Sequence, residues 1–435
     1  MTISEKAVVN VESLAAAERA ALAEIDVTTI VRRLGELVGI KSIPGTPGEA
    51  AIQHWYHRLF EEDGLETDFW PIDLEAVRQH PEFPGTEVDR TEAWGLVGYW
   101  GGADGPTLIL NGHVDVVPAG DRAQWTTDPF EAVTSDGFVY GRGTCDMKGG
   151  LLAAVAAVEA IQRAGIALKG RVLLHSVIGE EDGGLGTFST VLRGHVGDAA
   201  VILEPTSLDI VPACSGALTF RLHLAGRSTH AGLRTEGVSV VEKFWPVWNA
   251  INELEARRNA YPHPVMADLT MPCPISIGVL RAGQWASSVP DELVAEGRYG
   301  VALGETPEAA RAEFDAVIAE LNESDDWFRT NPVRVEWFGG QFAASQLPEG
   351  HPFLDLVAST HADLHGALPK VKGVPWASDL RLLTDVGKVP TLHYGPGDLR
   401  VCHAVNEYVA IDELEAAART VAALILRFCG YEEPK

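Results

Sequence analysis

Three short apolar runs, each leading to a histidine or an acid, constrain this chain more than any other feature. Leu108-Ile109-Leu110 leads into Asn111-Gly112-His113-Val114-Asp115. Val172-Leu173-Leu174 continues through Val177-Ile178 to Gly179-Glu180-Glu181-Asp182, and Val201-Ile202-Leu203 runs straight into Glu204-Pro205-Thr206. Uninterrupted apolar runs of this length, bounded by Gly and Pro and alternating with helical stretches, predict strands buried on both faces of a helix-covered sheet. In such α/β sheets the ligand crevice lies beyond the carboxyl ends of the strands, where these polar residues fall. A fourth run, Pro390-His393, is followed by Gly395-Pro396-Gly397 and His403, and Gly141-Arg142-Gly143-Thr144-Cys145-Asp146 places an acid just before a helix. The expected fold is α/β, with a mixed, largely parallel sheet flanked by helices.

Helical spacing of Ile30, Leu34, Leu37 and Val38 predicts an early helix, and a second carries Trp55, Leu59 and Phe60. Met147–Ala164 puts Leu151, Leu152, Val155, Val158 and Ile161 on one face and stops at Gly165. From Cys214 the texture changes. Leu218, Phe220, Leu222 and Leu224 alternate with Thr219, Arg221 and His223, as do Val333, Val335 and Trp337 with Arg334 and Glu336, the period of a half-buried strand. Between them Val238, Val241, Trp245, Trp248, Ile251 and Leu254 share a helical face, in which Pro246 is expected to kink or split the helix. The chain therefore divides into 1–213, an inserted α+β unit with an antiparallel sheet at 214–338, and a return to the first domain at 339–435.

Charge narrows the function. Acids outnumber bases 61 to 34, for a net charge of -27, which argues against nucleic acid or an anionic membrane as partner. The five cysteines are scattered without a C-x-x-C, so neither a disulfide scaffold nor a thiolate zinc site is expected. The first 25 residues lack a basic start followed by an apolar core, and no long uncharged apolar stretch follows; a cytoplasmic protein with no leader and no membrane span is expected.

Taken singly, His113 reads as a core histidine, Asp146 as a helix cap and Glu180-Glu181-Asp182 as a solvated acidic turn. Gathered at strand ends, these acids cannot share a low-dielectric cleft without a cation. Two divalent ions meet that need. Imidazole and carboxylate without thiolate suit Zn²⁺, with Co²⁺ or Mn²⁺ as alternatives.

In this order the five motifs resemble those of the M20 metallopeptidases and amidohydrolases, the group of acetylornithine deacetylase, succinyl-diaminopimelate desuccinylase, aminoacylase-1 and glutamate carboxypeptidase. The resemblance runs from about residue 30 to the end of the chain. It implies a zinc-exopeptidase-like catalytic domain interrupted by a lid and dimerisation domain. It makes His113 a ligand of one metal, with Asp115 fixing its imidazole and Glu204 beside it. Asp146 becomes the bridging carboxylate, joined to Met147 by a cis peptide. Glu181 and His403 become ligands of the second metal, and Glu180 the general base. In Gly226-Arg227-Ser228-Thr229-His230-Ala231-Gly232, His230 matches the residue that reaches the partner subunit's site to steady the oxyanion. Ser287-Ser288-Val289-Pro290, with Arg298, is similar to a segment that grips the substrate carboxylate, although many members have Asn where this chain has Ser288. Arg381, in Ser378-Asp379-Leu380-Arg381, resembles a carboxylate clamp.

The implied activity is a dinuclear hydrolase cleaving the amide of a small N-acyl amino acid through a hydroxide bridging the metals, working as a homodimer through 214–338. A dipeptidase or other metallo-exopeptidase is the alternative with the same residues, and a non-catalytic metal-binding protein a remote one. Other features carry less. His361 and His365 have i,i+4 spacing but no H-E-x-x-H, His54 and His57 read as helix-surface residues, and Cys145 and Cys402 read as small packing residues.

Overall fold

The structure, a computed structural model, describes residues 14–432. Positions 1–13, on which much of the no-leader expectation rests, lie outside the described residues. The chain forms two compact units: the first contains residues up to Pro212, Gln346–Lys372 and Asp379 onward, the second Ala213–Ser345 and Gly373–Ser378.

The first unit is built on a mixed nine-stranded sheet. Seven of its strands are β1 (Glu66–Pro71), β2 (Trp94–Gly101), β3 (Thr107–His113), β4 (Arg171–Val177), β5 (Ala199–Ile202), β6 (Ile210–Cys214) and β7 (Thr391–His393), lying in the order β1-β2-β4-β3-β5-β7-β6. The central four, β4, β3, β5 and β7, are mutually parallel, and antiparallel strands flank them. The register sets Asn111 opposite Ile202, Ile202 opposite His393, and His113 opposite Val177. The carboxyl ends of four strands are therefore nearly level at one edge.

Two long helices cover this sheet, Gly149–Arg163 and Ile411–Cys429. The first departs from the one-faced expectation, being buried from Gly149 to Ile161 on every side. Its Ala153, Ala154, Ala156, Ala157 and Ala160 are what allow neighbours to approach all round. It stops as expected at Gly165, which takes φ 69°.

The second unit holds a four-stranded antiparallel sheet in the order Ile275–Ala282, Glu292–Val301, Gly216–Ala225, Arg334–Phe342. Leu218, Phe220, Leu222 and Leu224 are buried, and they share a core with Phe244, Val247, Ile251, Phe314 and Ile318 of the helices Val240–Arg258 and Pro307–Ser324. The expected split at Pro246 does not occur: the helix is continuous through it. Buried Phe244, Val247 and Ile251 hold both halves in one core, which offsets the hydrogen bond that proline forfeits. No helix among the described residues is long and apolar enough to cross a membrane.

Candidate metal centre

Each strand end delivers its polar residue to the same edge of the first unit. His113 is the last residue of β3 and is 1% exposed. Glu204 lies two residues beyond β5 and is 5% exposed. It is held there by a close approach: a Cβ at Gly150 would stand 2.1 Å from the Leu203 carbonyl oxygen, so only glycine lets the Gly149–Arg163 helix start against this strand end. Glu180 and Glu181 follow β4 through Gly179, whose φ of 70° turns the chain. Asp146 precedes the helix in a turn over Thr144–Lys148, and its peptide to Met147 is cis.

The side chains converge. His113 Nε2 lies 3.0 Å from Asp146 Oδ1 and 3.8 Å from Glu204 Oε1. His403 Nε2 lies 3.4 Å from Asp146 Oδ2 and 3.0 Å from Glu181 Oε2. Two groups of donors able to hold an ion are thus found among the described residues, His113/Asp146/Glu204 and Asp146/Glu181/His403, each with its ligand atoms within 4.8 Å of one another. Asp146 belongs to both.

Their electrostatics call for cations. Burial pushes the carboxyls of Glu180 and Glu204 well above the usual range, and the negative charges around them add to it, against the pull of His113. Against its own burial, Asp146 is held far below that range by hydrogen bonds from His113 and His403. Its hydrogen bonds with Asp146 and Glu181 push His403 up to about 10. Four carboxylates share two imidazoles, and positive charge is what the cluster lacks. Hard, anionic oxygen donors with imidazole nitrogen fit a divalent ion in either group.

The surrounding residues hold this arrangement, and one expected contact differs. His113 Nδ1 lies 3.0 Å from the main-chain oxygen of Asp115, whereas the Asp115 carboxylate is 3.7 Å away. That carboxylate instead accepts the main-chain N–H of Glu180 at 3.3 Å and of Glu181 at 3.1 Å, fixing the acidic turn rather than the ring. Asp182 faces away from solvent. Its two oxygens receive Arg90 Nη2 at 2.6 Å and Nη1 at 2.9 Å, while the other side of the guanidinium meets both oxygens of Glu49 at 2.8 Å. Asp379 is fully buried, accepts the Thr187 hydroxyl at 2.5 Å, and is raised to about 6 by burial. Nothing in the sequence near residue 90 marks Arg90 as the partner of Glu49 and Asp182.

The other expected residues belong to neither donor group. Arg381 is half-buried in the first unit, next to Leu382–Val386. His230, Ser288 and Arg298 belong to the second unit, where His230 is exposed and bridges to Ser288, and Arg298 sits in the Glu292–Val301 strand. His361 and His365 enter neither group: His361 Nδ1 meets the Tyr394 hydroxyl and His365 Nε2 the Thr420 hydroxyl, each at 2.8 Å. Cys145 is buried, Cys402 is half-buried, and their Sγ atoms are 3.6 Å apart.

The sequence profile of peptidase family M20/M25/M40 matches residues 109–427, most of the chain. The chain belongs to the M20 family. M20 proteins are metal-dependent hydrolases of amide bonds, in keeping with the two donor groups. Among M20 relatives, the chain is 29% identical to N-formyl-4-amino-5-aminomethyl-2-methylpyrimidine deformylase of Bacillus subtilis, over 89% of this chain and 91% of that protein. It is 29% identical to succinyl-diaminopimelate desuccinylase of Gluconacetobacter diazotrophicus, over 76% of this chain and 83% of the other. Its fold matches that of the di-peptidase Dug1p from Saccharomyces cerevisiae with a TM-score of 0.75 at 16% identity, covering 96% of this chain and 99% of that one.

Proposed function

We propose that the chain is a dinuclear metal-dependent hydrolase that cleaves the amide bond of a small N-acyl compound. One observation carries the reading: the two oxygens of Asp146 face His113 and His403 respectively, so a single acid serves both donor groups, while Glu180 belongs to neither. In this reading His113, Asp146 and Glu204 hold one ion and Asp146, Glu181 and His403 the other, with zinc the first choice and cobalt or manganese the alternatives. When bound, a divalent pair supplies an acidified water and a polarised acyl carbonyl. Glu180 takes the proton of the attacking water and returns it to the departing amine. Asp115 keeps Glu180 and Glu181 in place through their main-chain N–H groups.

Residues 1–213 and 339–435 form the catalytic domain of this reading, and 214–338 a lid through which two copies pair. Val241 and Trp245, exposed one turn apart on the Val240–Arg258 helix, and the edge strand Ile275–Ala282 support such a pairing. His230 then serves as oxyanion donor to the partner copy, and Ser288, Arg298 and Arg381 bind a substrate carboxylate. That none of the five cysteines is in a disulfide suits a reducing, cytoplasmic setting.

The deformylase and desuccinylase likenesses, at 29% identity, favour an acyl group over a peptide; the di-peptidase likeness concerns the fold alone. The test is a side-by-side assay of formyl, acetyl, succinyl and aminoacyl amides, on amino acids and on an aminomethylpyrimidine, with metal analysis of the same preparation. Glu180→Gln is expected to keep its metal and lose turnover by about 10²–10⁴-fold. A metal-free protein with full activity, or a Glu180→Gln variant as active as the parent, would end the proposal. Preference for the aminoacyl amides would select the exopeptidase reading instead.

A further inference from the structure

Glu407 lies four residues beyond His403, at the start of the return from that loop into Tyr408–Ala410, a strand paired with Phe138–Tyr140. It is 0% exposed. A buried carboxylate is costly unless its oxygens are saturated with donors, and this one is surrounded by them. Oε1 accepts three main-chain N–H groups, from Gly143 at 3.0 Å, Cys145 at 2.9 Å and Asp146 at 3.1 Å. Oε2 accepts Arg142 Nη1 at 2.7 Å, and the Glu407 main-chain oxygen accepts the Gly141 N–H at 2.9 Å. Gly143, at φ 83°, allows the chain to curl so that these N–H groups face inward, a concave anion cradle of the kind backbone turns form around phosphates. Here the anion is a side chain.

The placement matters because of what the two loops carry. The 141–146 turn presents Asp146, the acid common to both donor groups, and the 399–407 loop presents His403. Asp146 has φ -117° and ψ 97°, outside the helical region, so the helix that follows does not set its direction. The carboxylate of Glu407 takes hold of its N–H and of two neighbours, joining the two ligand-bearing segments through one group.

We propose that Glu407 is a positioning residue of the metal centre: it fixes the 143–146 turn so that Asp146 meets both donor groups. The inference rests on the dinuclear reading above. A merely structural carboxylate would stabilise the fold and leave ion binding by the folded protein unchanged. Loss of a positioning one lowers ion affinity in protein that is still folded, by about 10–100-fold, as loss of partners behind metal ligands does.

The experiment uses the full chain, stripped of metal and titrated with Zn²⁺ against a chromophoric chelator. Co²⁺ absorption spectra report ligand geometry, and thermal unfolding is followed on the same samples. Glu407→Gln keeps an oxygen for the three N–H groups and removes the charge, whereas Glu407→Asp keeps the charge and withdraws it by one methylene. Arg33→Ala, which breaks an ion pair with Asp63 and Glu159 away from the donor groups, is the control for lost stability alone. The expected result is weaker Zn²⁺ binding, by about tenfold or more, and a changed Co²⁺ spectrum in Glu407→Asp at temperatures where it is folded, with Glu407→Gln less affected and Arg33→Ala binding like the parent. Parental affinity and spectrum in both folded Glu407 variants would overturn the positioning role. A parent that binds no divalent ion would sink the dinuclear reading itself, a separate and recognisable failure.

Discussion

Arg90 shows how much a single buried side chain holds around this centre. Its guanidinium forks between Glu49 and Asp182, all three nearly excluded from water, and Asp182 directly follows the two acids of the Glu180-Glu181 turn. Removing the guanidinium would leave two carboxylates buried without a counter-charge. Arg90→Ala is therefore expected to cost about 3–5 kcal/mol in urea unfolding, and an unchanged midpoint would show that water can replace the arginine. Residues of this kind were not legible in the sequence. The donors His113, Glu181 and Glu204, and Glu180 next to them, each stand just beyond an apolar run, a mark that local sequence carries. Arg90 lies 41 residues from Glu49 and 92 from Asp182, Glu407 lies 261 to 265 from the turn it holds, and no spacing rule connects them.

At the scale of elements, the parallel strands and the alternating strands of the second unit were legible, because burial on two faces or on one leaves a period in the sequence. The surroundings of the Gly149–Arg163 helix were not. Its large residues suggested one buried face, but the alanines between them are buried as well, and alanine carries no polarity to reveal which side it takes. Ala157, fully buried, has no room to grow. Ala157→Leu is expected to destabilise by about 1–3 kcal/mol through overpacking, whereas an amphipathic helix with an open face would tolerate it; thermal unfolding of the variant distinguishes the two. Pro246 failed as a helix breaker for a related reason, since the core contacts of its neighbours outweigh the one hydrogen bond it gives up.

Taken whole, the molecule holds several histidines neutral in its interior. Burial pulls His175 down to about 3, with His195 adding to it, His361 down to about 4, with His365 adding to it, and His393 down to about 4. Their ordinary value is 6.5. Between about pH 6.5 and 4 the unfolded chain binds protons that the folded one refuses, so the stability these residues lend is complete above that window and drains away as pH falls through it. The slope approaches about 1.4 kcal/mol per pH unit for each histidine. Urea unfolding at pH 7, 5.5 and 4.5 is expected to show the midpoint falling through this range, with a shallower fall in His361→Gln; a flat profile would mean that the rings are protonated in the folded state.

The order in which the chain is threaded has a consequence for how the centre comes into being. His113, Asp146 and Glu204 all precede the inserted unit, but His403, Glu407 and the β7 strand beside β5 come from the last stretch of the chain. Synthesis as far as the inserted unit has supplied every residue of one donor group and lacks the imidazole of the other. In the dinuclear reading, the second donor group is complete only once the segment carrying His403 has been made, and that segment follows a strand that returns to the middle of a sheet begun hundreds of residues earlier.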